Sequence, residues 1–114
     1  MNAEKTKAQM RKGILEYCIL AIISGNEVYA SDIIERLKDA ELIVVEGTLY
    51  PLLTRLKNEN LLSYRWEESK SGPPRKYYSL TNEGRTFLSE LDEAWKKMVE
   101  SVKQLSSNYF ESEN

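Results

Sequence analysis

The sequence predicts a mainly α fold with one small β-hairpin, and three observations predict it. The first sixty residues hold one long proline-free stretch apolar on nearly every side and two shorter ones with an apolar face at helical spacing. Two short segments rich in Leu, Tyr and Trp flank a Ser-Lys-Ser-Gly-Pro-Pro cluster at positions 69–74. The last third carries a long apolar series at alternating steps of three and four. A chain of 114 residues suits one domain, or one domain with an appendage.

Residues from about Lys5 to Ser24 read as a first helix, with no proline and Gly13 as the one glycine. Between Ile14 and Ile23 apolar residues lie on nearly every side, so this helix is expected to be buried on more than one face. Ser24-Gly25-Asn26 is a stop signal. Tyr29 to Ala40 reads as a second helix, with Ile33, Ile34 and Leu37 inward and Asp32, Glu35, Arg36 and Lys38 toward water. The β-branched run Leu42 to Val45 is expected to form a small strand. A third helix opens at Glu46 or Gly47 and runs to about Glu59. Leu49, Leu52, Leu53 and Leu56 make one face of it. Pro51 is tolerable near the first turn. Asn60 suits the left-handed position that ends a helix.

Leu61 to Glu67 and Lys76 to Leu80 are strand-like, and Ser69 to Pro74 is the expected loop with a flexible, basic tip. Thr81 then caps a long helix, with Glu83 in its first turn. Along it, Leu88, Leu91, Trp95, Met98, Val102, Leu105 and Tyr109 form an a/d seam. The seam runs well past the last strand, so a partner helix is expected, most economically from a second copy of the chain. The other reading folds this helix back on the first one, and both can hold together. Glu111 to Asn114 are expected to fray.

The composition excludes several classes. Hydrophobic residues make up 41% and charged residues 30%, as in an ordinary globular protein. The start of the chain is polar, and the longest apolar run, Ile19 to Ile23, is too short to span a bilayer, so a cytoplasmic location is expected and no membrane partner. There is no histidine, which removes the commonest general base and metal ligand. The single Cys18 allows no internal disulfide and no zinc pair. It reads as a buried small hydrophobe, or else as a redox-sensing thiol. No glycine-rich phosphate loop and no isolated carboxylate pair stands out, so neither an enzyme nor a cofactor or metal site is expected.

The net charge is −2, but its distribution is uneven. From Arg55 to Lys76 six basic and three acidic residues leave +3, and from Thr81 onward four basic and seven acidic leave −3. One face is therefore set for polyanions and another for something else. Helix, helix, short strand, helix, hairpin, helix is the order of a winged helix-turn-helix followed by a long C-terminal dimerisation helix. The expected domains are 1–80 and 81–114. In this architecture the third helix enters the DNA major groove and the hairpin reaches nearby phosphates. Thr48, Tyr50 and Thr54 offer hydrogen bonds to bases or phosphates. Arg55 and Lys57 can neutralise phosphates, though Arg55 can instead pair with Glu59. The wing adds Lys70, Arg75 and Lys76.

Two segments make the reading more specific. Glu46-Gly47-Thr48-Leu49-Tyr50-Pro51-Leu52-Leu53-Thr54-Arg55-Leu56 resembles the PadR-family recognition helix. Gly72-Pro73-Pro74-Arg75-Lys76-Tyr77-Tyr78-Ser79-Leu80-Thr81 resembles the wing and its following strand, and Tyr29 with Ile33 and Ile34 resembles the second helix. The length is similar to the short-tailed, LmrR-like branch. The resemblance implies a homodimeric repressor on a pseudo-palindromic double-stranded DNA operator, often released by a small aromatic or cationic effector. In LmrR-like members a tryptophan on the C-terminal helix lines a central cavity, and Trp95 matches it. Two readings of Trp95 stay open, a ligand-stacking wall and a packed seam residue. Asp92 or Glu93 could attract cations if they face that cavity. The competing function is a winged-helix protein-interaction module that binds no DNA.

Overall fold

The computed structural model describes residues 2–110, with side chains through 107. Its elements are α1 (Glu4–Gly25), α2 (Ala30–Asp39), α3 (Glu46–Asn58), β1 (Leu62–Ser69), β2 (Gly72–Leu80) and α4 (Asn82–Phe110). Helices α1, α2 and α3 pack around one core, the antiparallel pair β1–β2 closes it, and α4 returns along α1. This is the winged helix-turn-helix order with a long C-terminal helix.

The core follows from the apolar spacing. Ile19, Leu20 and Ile23 of α1 meet Ile33 and Leu37 of α2, Leu49, Leu53 and Leu56 of α3, and Leu62, Tyr78 and Leu80 of the hairpin. Each fully buried aliphatic side chain contributes about 1.5–3 kcal/mol over its exposed state. Cys18 is half-buried on α1, and burial pushes its thiol pKa up, away from the reactive range.

Two helix ends share one construction. Asn60 has φ of 63°, as its residue type suggested, and Glu41 has the same value. In each case the next residue, Leu61 or Leu42, donates its N–H to a carbonyl five residues back, Leu56 at 3.0 Å or Leu37 at 2.8 Å. Both are left-handed caps with a following leucine turned to the core.

The strand expected over Leu42 to Val45 does not form. The left-handed turn at Glu41 redirects the chain, and the run lies along the surface with Val44 buried and Ile43 and Val45 exposed. The third partner of the hairpin is Val28 instead. It exchanges both backbone hydrogen bonds with Tyr78, at 3.1 and 2.8 Å.

The hairpin is longer than expected. The turn is Lys70-Ser71, and Gly72 to Arg75 belong to β2. Glu67 pairs with Arg75 and Ser69 with Gly72, so Glu68 opposes both Pro73 and Pro74 across an irregular step. Prolines lack the N–H a regular ladder needs, and such a bulge is where a strand accommodates them.

Thr81 begins α4 as expected. Its Oγ1 accepts from the Gly84 N–H at 2.9 Å and donates to the Asn60 carbonyl at 2.7 Å. Phe87, Leu88 and Leu91 pack on the core, and beyond them the helix runs past the domain, giving a molecule 59 Å long and 21 Å thin. The expected fraying of Glu111 to Asn114 and the side chain of Tyr109 lie outside the described residues.

Candidate nucleic-acid interface

Burying Leu49, Leu53 and Leu56 decides where every other side chain of α3 goes. Tyr50, Thr54 and Lys57 fall on one flank, toward the hairpin. Thr48 and Arg55 fall on the other, toward α1. Tyr50 and Thr54 line a cleft of about 460 Å³ with Tyr29 and Ser31 at the start of α2 and Trp66, Arg75 and Lys76 of the wing. Thr48 instead lines a groove with Arg11, Ile14, Cys18 and Val45.

The cations divide in the same way. The Arg55 guanidinium is held by Glu59 at 3.0 Å and Glu16 at 3.2 Å, which raise its pKa further and tie α3 to α1. Arg65 is held by Glu27 at 2.7 Å and Glu67 at 2.9 Å, again with its pKa raised. Lys57, Lys70, Arg75 and Lys76 make no ion pair among the described residues. With Arg55 and Arg65 paired, the local +3 of the sequence resolves into these four cations and one acid, Glu68, that makes no ion pair among the described residues. Three of them lie over aromatic rings: Lys76 4.4 Å from the Tyr64 centroid, Arg75 5.2 Å from Tyr29 and Lys57 5.8 Å from Tyr64. Aromatic faces hold a cation in place without neutralising it. Lys70 sits exposed at the turn, away from the cleft lining.

Sequence reasoning missed Tyr29, Ser31 and Trp66 as cleft residues. A signal existed for Trp66. It shares a strand face with Tyr64 by the period of two, and Lys76 is its cross-strand partner. Tyr29 required the fold, because its ring meets Tyr77 at a centroid distance of 3.8 Å only once α2 abuts the hairpin.

The C-terminal seam splits into two environments. Leu88 and Leu91 pack against the chain's own core. Trp95 is half-buried, 6.3 Å from the Tyr17 ring. Met98, Val102 and Leu105 are 53, 61 and 80% exposed. Between α1 and α4 runs an apolar groove of about 580 Å³, walled by Met10, Ile14, Trp95, Met98, Val99 and Val102. Asp92 is not open to an incoming cation. It accepts from the Tyr17 hydroxyl at 2.6 Å and pairs with Lys96 at 2.8 Å, and these two partners lower its pKa. The same hydrogen bond, aided by burial, pushes Tyr17 up to about 12.

Three helices, a hairpin wing and uncompensated cations beside the exposed flank of the third helix define the winged-helix class of transcription regulators. Residues 19–90 match the Transcriptional regulator PadR-like family, and the chain belongs to it. It is similar to the PadR-like transcription factor of Bacteroides fragilis, with 61% identity, 90% of this chain and 99% of that one covered, and a TM-score of 0.75. It is also similar to a PadR-like regulator of Bacillus cereus, with 41% identity, 85% and 95% covered, and a TM-score of 0.75. Bacillus subtilis PadR, solved in complex with operator DNA, shares 25% identity over 68% of this chain and 46% of its own, with a TM-score of 0.64. Among the described residues no helix is long and apolar enough to cross a membrane.

Proposed function

We propose that this chain is a homodimeric transcriptional repressor that reads double-stranded operator DNA with α3 and the wing. The supporting observation is the cleft itself. It sets the hydrogen-bonding groups of Tyr50 and Thr54 beside Arg75 and Lys76, which make no ion pair among the described residues, with Lys57 and Lys70 outside its lining. With α3 in the major groove, Tyr50 and Thr54 meet base edges, and Lys57, Lys70, Arg75 and Lys76 meet phosphates. Thr48 contacts the backbone at the helix start. Arg55 reaches a phosphate only by leaving Glu16 and Glu59, so its contribution is the smallest of the set.

The division of labour is 1–80 for DNA and 81–114 for pairing. The apolar α1–α4 groove receives α4 of a second copy, with Trp95, Met98, Val102 and Leu105 at the contact, and Leu88 and Leu91 supporting it from the core. A planar aromatic or cationic effector stacks on Trp95 in the space between the two copies. It releases DNA only by favouring a dimer in which the recognition helices have the wrong separation.

The test is fluorescence anisotropy of a labelled duplex from upstream of the protein's own gene, over a salt series and against unrelated DNA. About 8 phosphate contacts per dimer give a log–log salt slope of roughly −7. Arg75→Ala with Lys76→Ala weakens all sequences alike, and Thr54→Val changes which sequence is preferred. No binding at low salt would move the protein to the interaction-module class.

A further inference from the structure

Trp66 is 60% exposed on β1, an unusual place for the largest apolar side chain. Its ring is open on two sides. One side faces the cleft shared with Tyr50, Thr54 and Lys76. The other faces a shallow groove with Glu68, Pro73 and Pro74 near the hairpin tip. Tyr64 meets it edge-on at 6.1 Å and 88°. Lys76 stands over both rings, 4.4 Å from Tyr64 and 5.2 Å from Trp66. Nothing in the core needs this indole, and an aromatic pair that orients a cation without neutralising it costs conformational freedom. The arrangement is a pre-ordered apolar–cationic pair on the rim of the DNA cleft.

We propose that Trp66 is a DNA-contact residue, packing its indole against a deoxyribose at the groove edge while Lys76 takes the adjacent phosphate. Duplex bases are already stacked, so the accessible apolar surface beside a phosphate is the sugar. Pro73 and Pro74 of the bulged strand, with Glu68, line the shallow groove on the ring's outer side. This inference rests on the DNA-binding reading above. The contact carries no base identity, so it adds affinity on every sequence.

The experiment compares wild type with Trp66→Ala, Trp66→Phe and Lys76→Ala by anisotropy on operator and unrelated duplex, with tryptophan emission recorded in the same cuvette. Trp66→Ala is expected to raise Kd about ten-fold on both duplexes with no change in salt slope, since no charge is lost. Trp66→Phe keeps most of the affinity. Lys76→Ala reduces the magnitude of the slope by about 2 per dimer. DNA quenches wild-type emission, and the quench is absent in Trp66→Phe, which retains Trp95. Wild-type Kd in Trp66→Ala, or an equal quench in Trp66→Phe, overturns the assignment while leaving the regulator reading intact. A duplex kinked by wild type but not by Trp66→Ala means a wedge between base pairs and overturns the sugar contact. Failure of wild type to bind any duplex removes the regulator reading and this one with it.

Discussion

Replacing Gly84 by alanine separates local propensity from tertiary packing, because the two predict opposite signs. Gly84 lies in the first turn of α4, where alanine is intrinsically better by up to about 1 kcal/mol. Yet Gly84 is buried, and a Cβ there would run into the Leu61 backbone carbonyl and lie 3.3 Å from Thr81 Oγ1. A carbonyl between a left-handed cap and a strand cannot rotate away as a side chain would. Either α4 or β1 must move. Overpacking of this kind costs about 1–3 kcal/mol. The movement also strains the Thr81 N–H bond to the Leu61 carbonyl, 3.1 Å, and the Thr81–Gly84 cap, each worth about 1 kcal/mol. After subtracting the propensity gain, Gly84→Ala should lose about 2–4 kcal/mol, a fall of roughly 8–17 °C in Tm. Urea and thermal unfolding followed by circular dichroism measure this. A variant as stable as wild type, or more stable, would refute the close approach of α4 to Leu61.

Other outcomes follow from the same reasoning. Glu41→Gly should raise stability by about 0.5–1 kcal/mol, read as a higher urea midpoint, because Glu41 occupies a left-handed conformation that suits glycine. A lower midpoint would count against that cap. Tyr17 has its folded pKa raised from 10.0 to about 12, so the fold favours its protonated form. Its contribution is whole below pH 10 and is lost as pH rises toward 12, and Tyr17→Phe should show a shallower alkaline loss across that window. For Asp92, whose folded pKa is lowered, the contribution is present above the unfolded carboxylate pKa and lost as pH falls through the folded one. Asp92→Asn should flatten the acid limb of stability, and an unchanged limb would show the carboxylate idle. If α4 pairs as proposed, Leu105→Glu, which puts a charge on the most exposed of the described seam residues, should give a monomer in light scattering while helix content persists. A dimer that survives it would place the pairing elsewhere.

Periodicity found α2, α3 and α4 because each has one face buried and the burial writes its period into the sequence; α1 was legible from a long apolar stretch free of proline, and the hairpin from strand-like residues flanking a turn cluster. Asn60 and Thr81 were readable for a different reason, since their side-chain chemistry is tied to one local geometry. The run Leu42 to Val45 misled for want of a partner. β-propensity describes a strand's side chains, whereas pairing depends on which backbone arrives beside β2, and Val28 arrived. Pro73 and Pro74 misled in the opposite direction, as a loop signal inside a bulged strand.

At the candidate site the sequence determined which residue types were available: hydroxyls on the third helix, cations on the wing, a tryptophan on the last helix. It also determined the apolar stripes that leave those groups at the surface. Only the tertiary structure decided which of them work together. Arg55 and Arg65 meet carboxylates from residues 16 and 27, far away in the chain, while Lys57, Arg75 and Lys76 meet aromatic rings instead. Charge compensation falls off over a few ångströms, and sequence distance carries no information at that scale once the chain has folded.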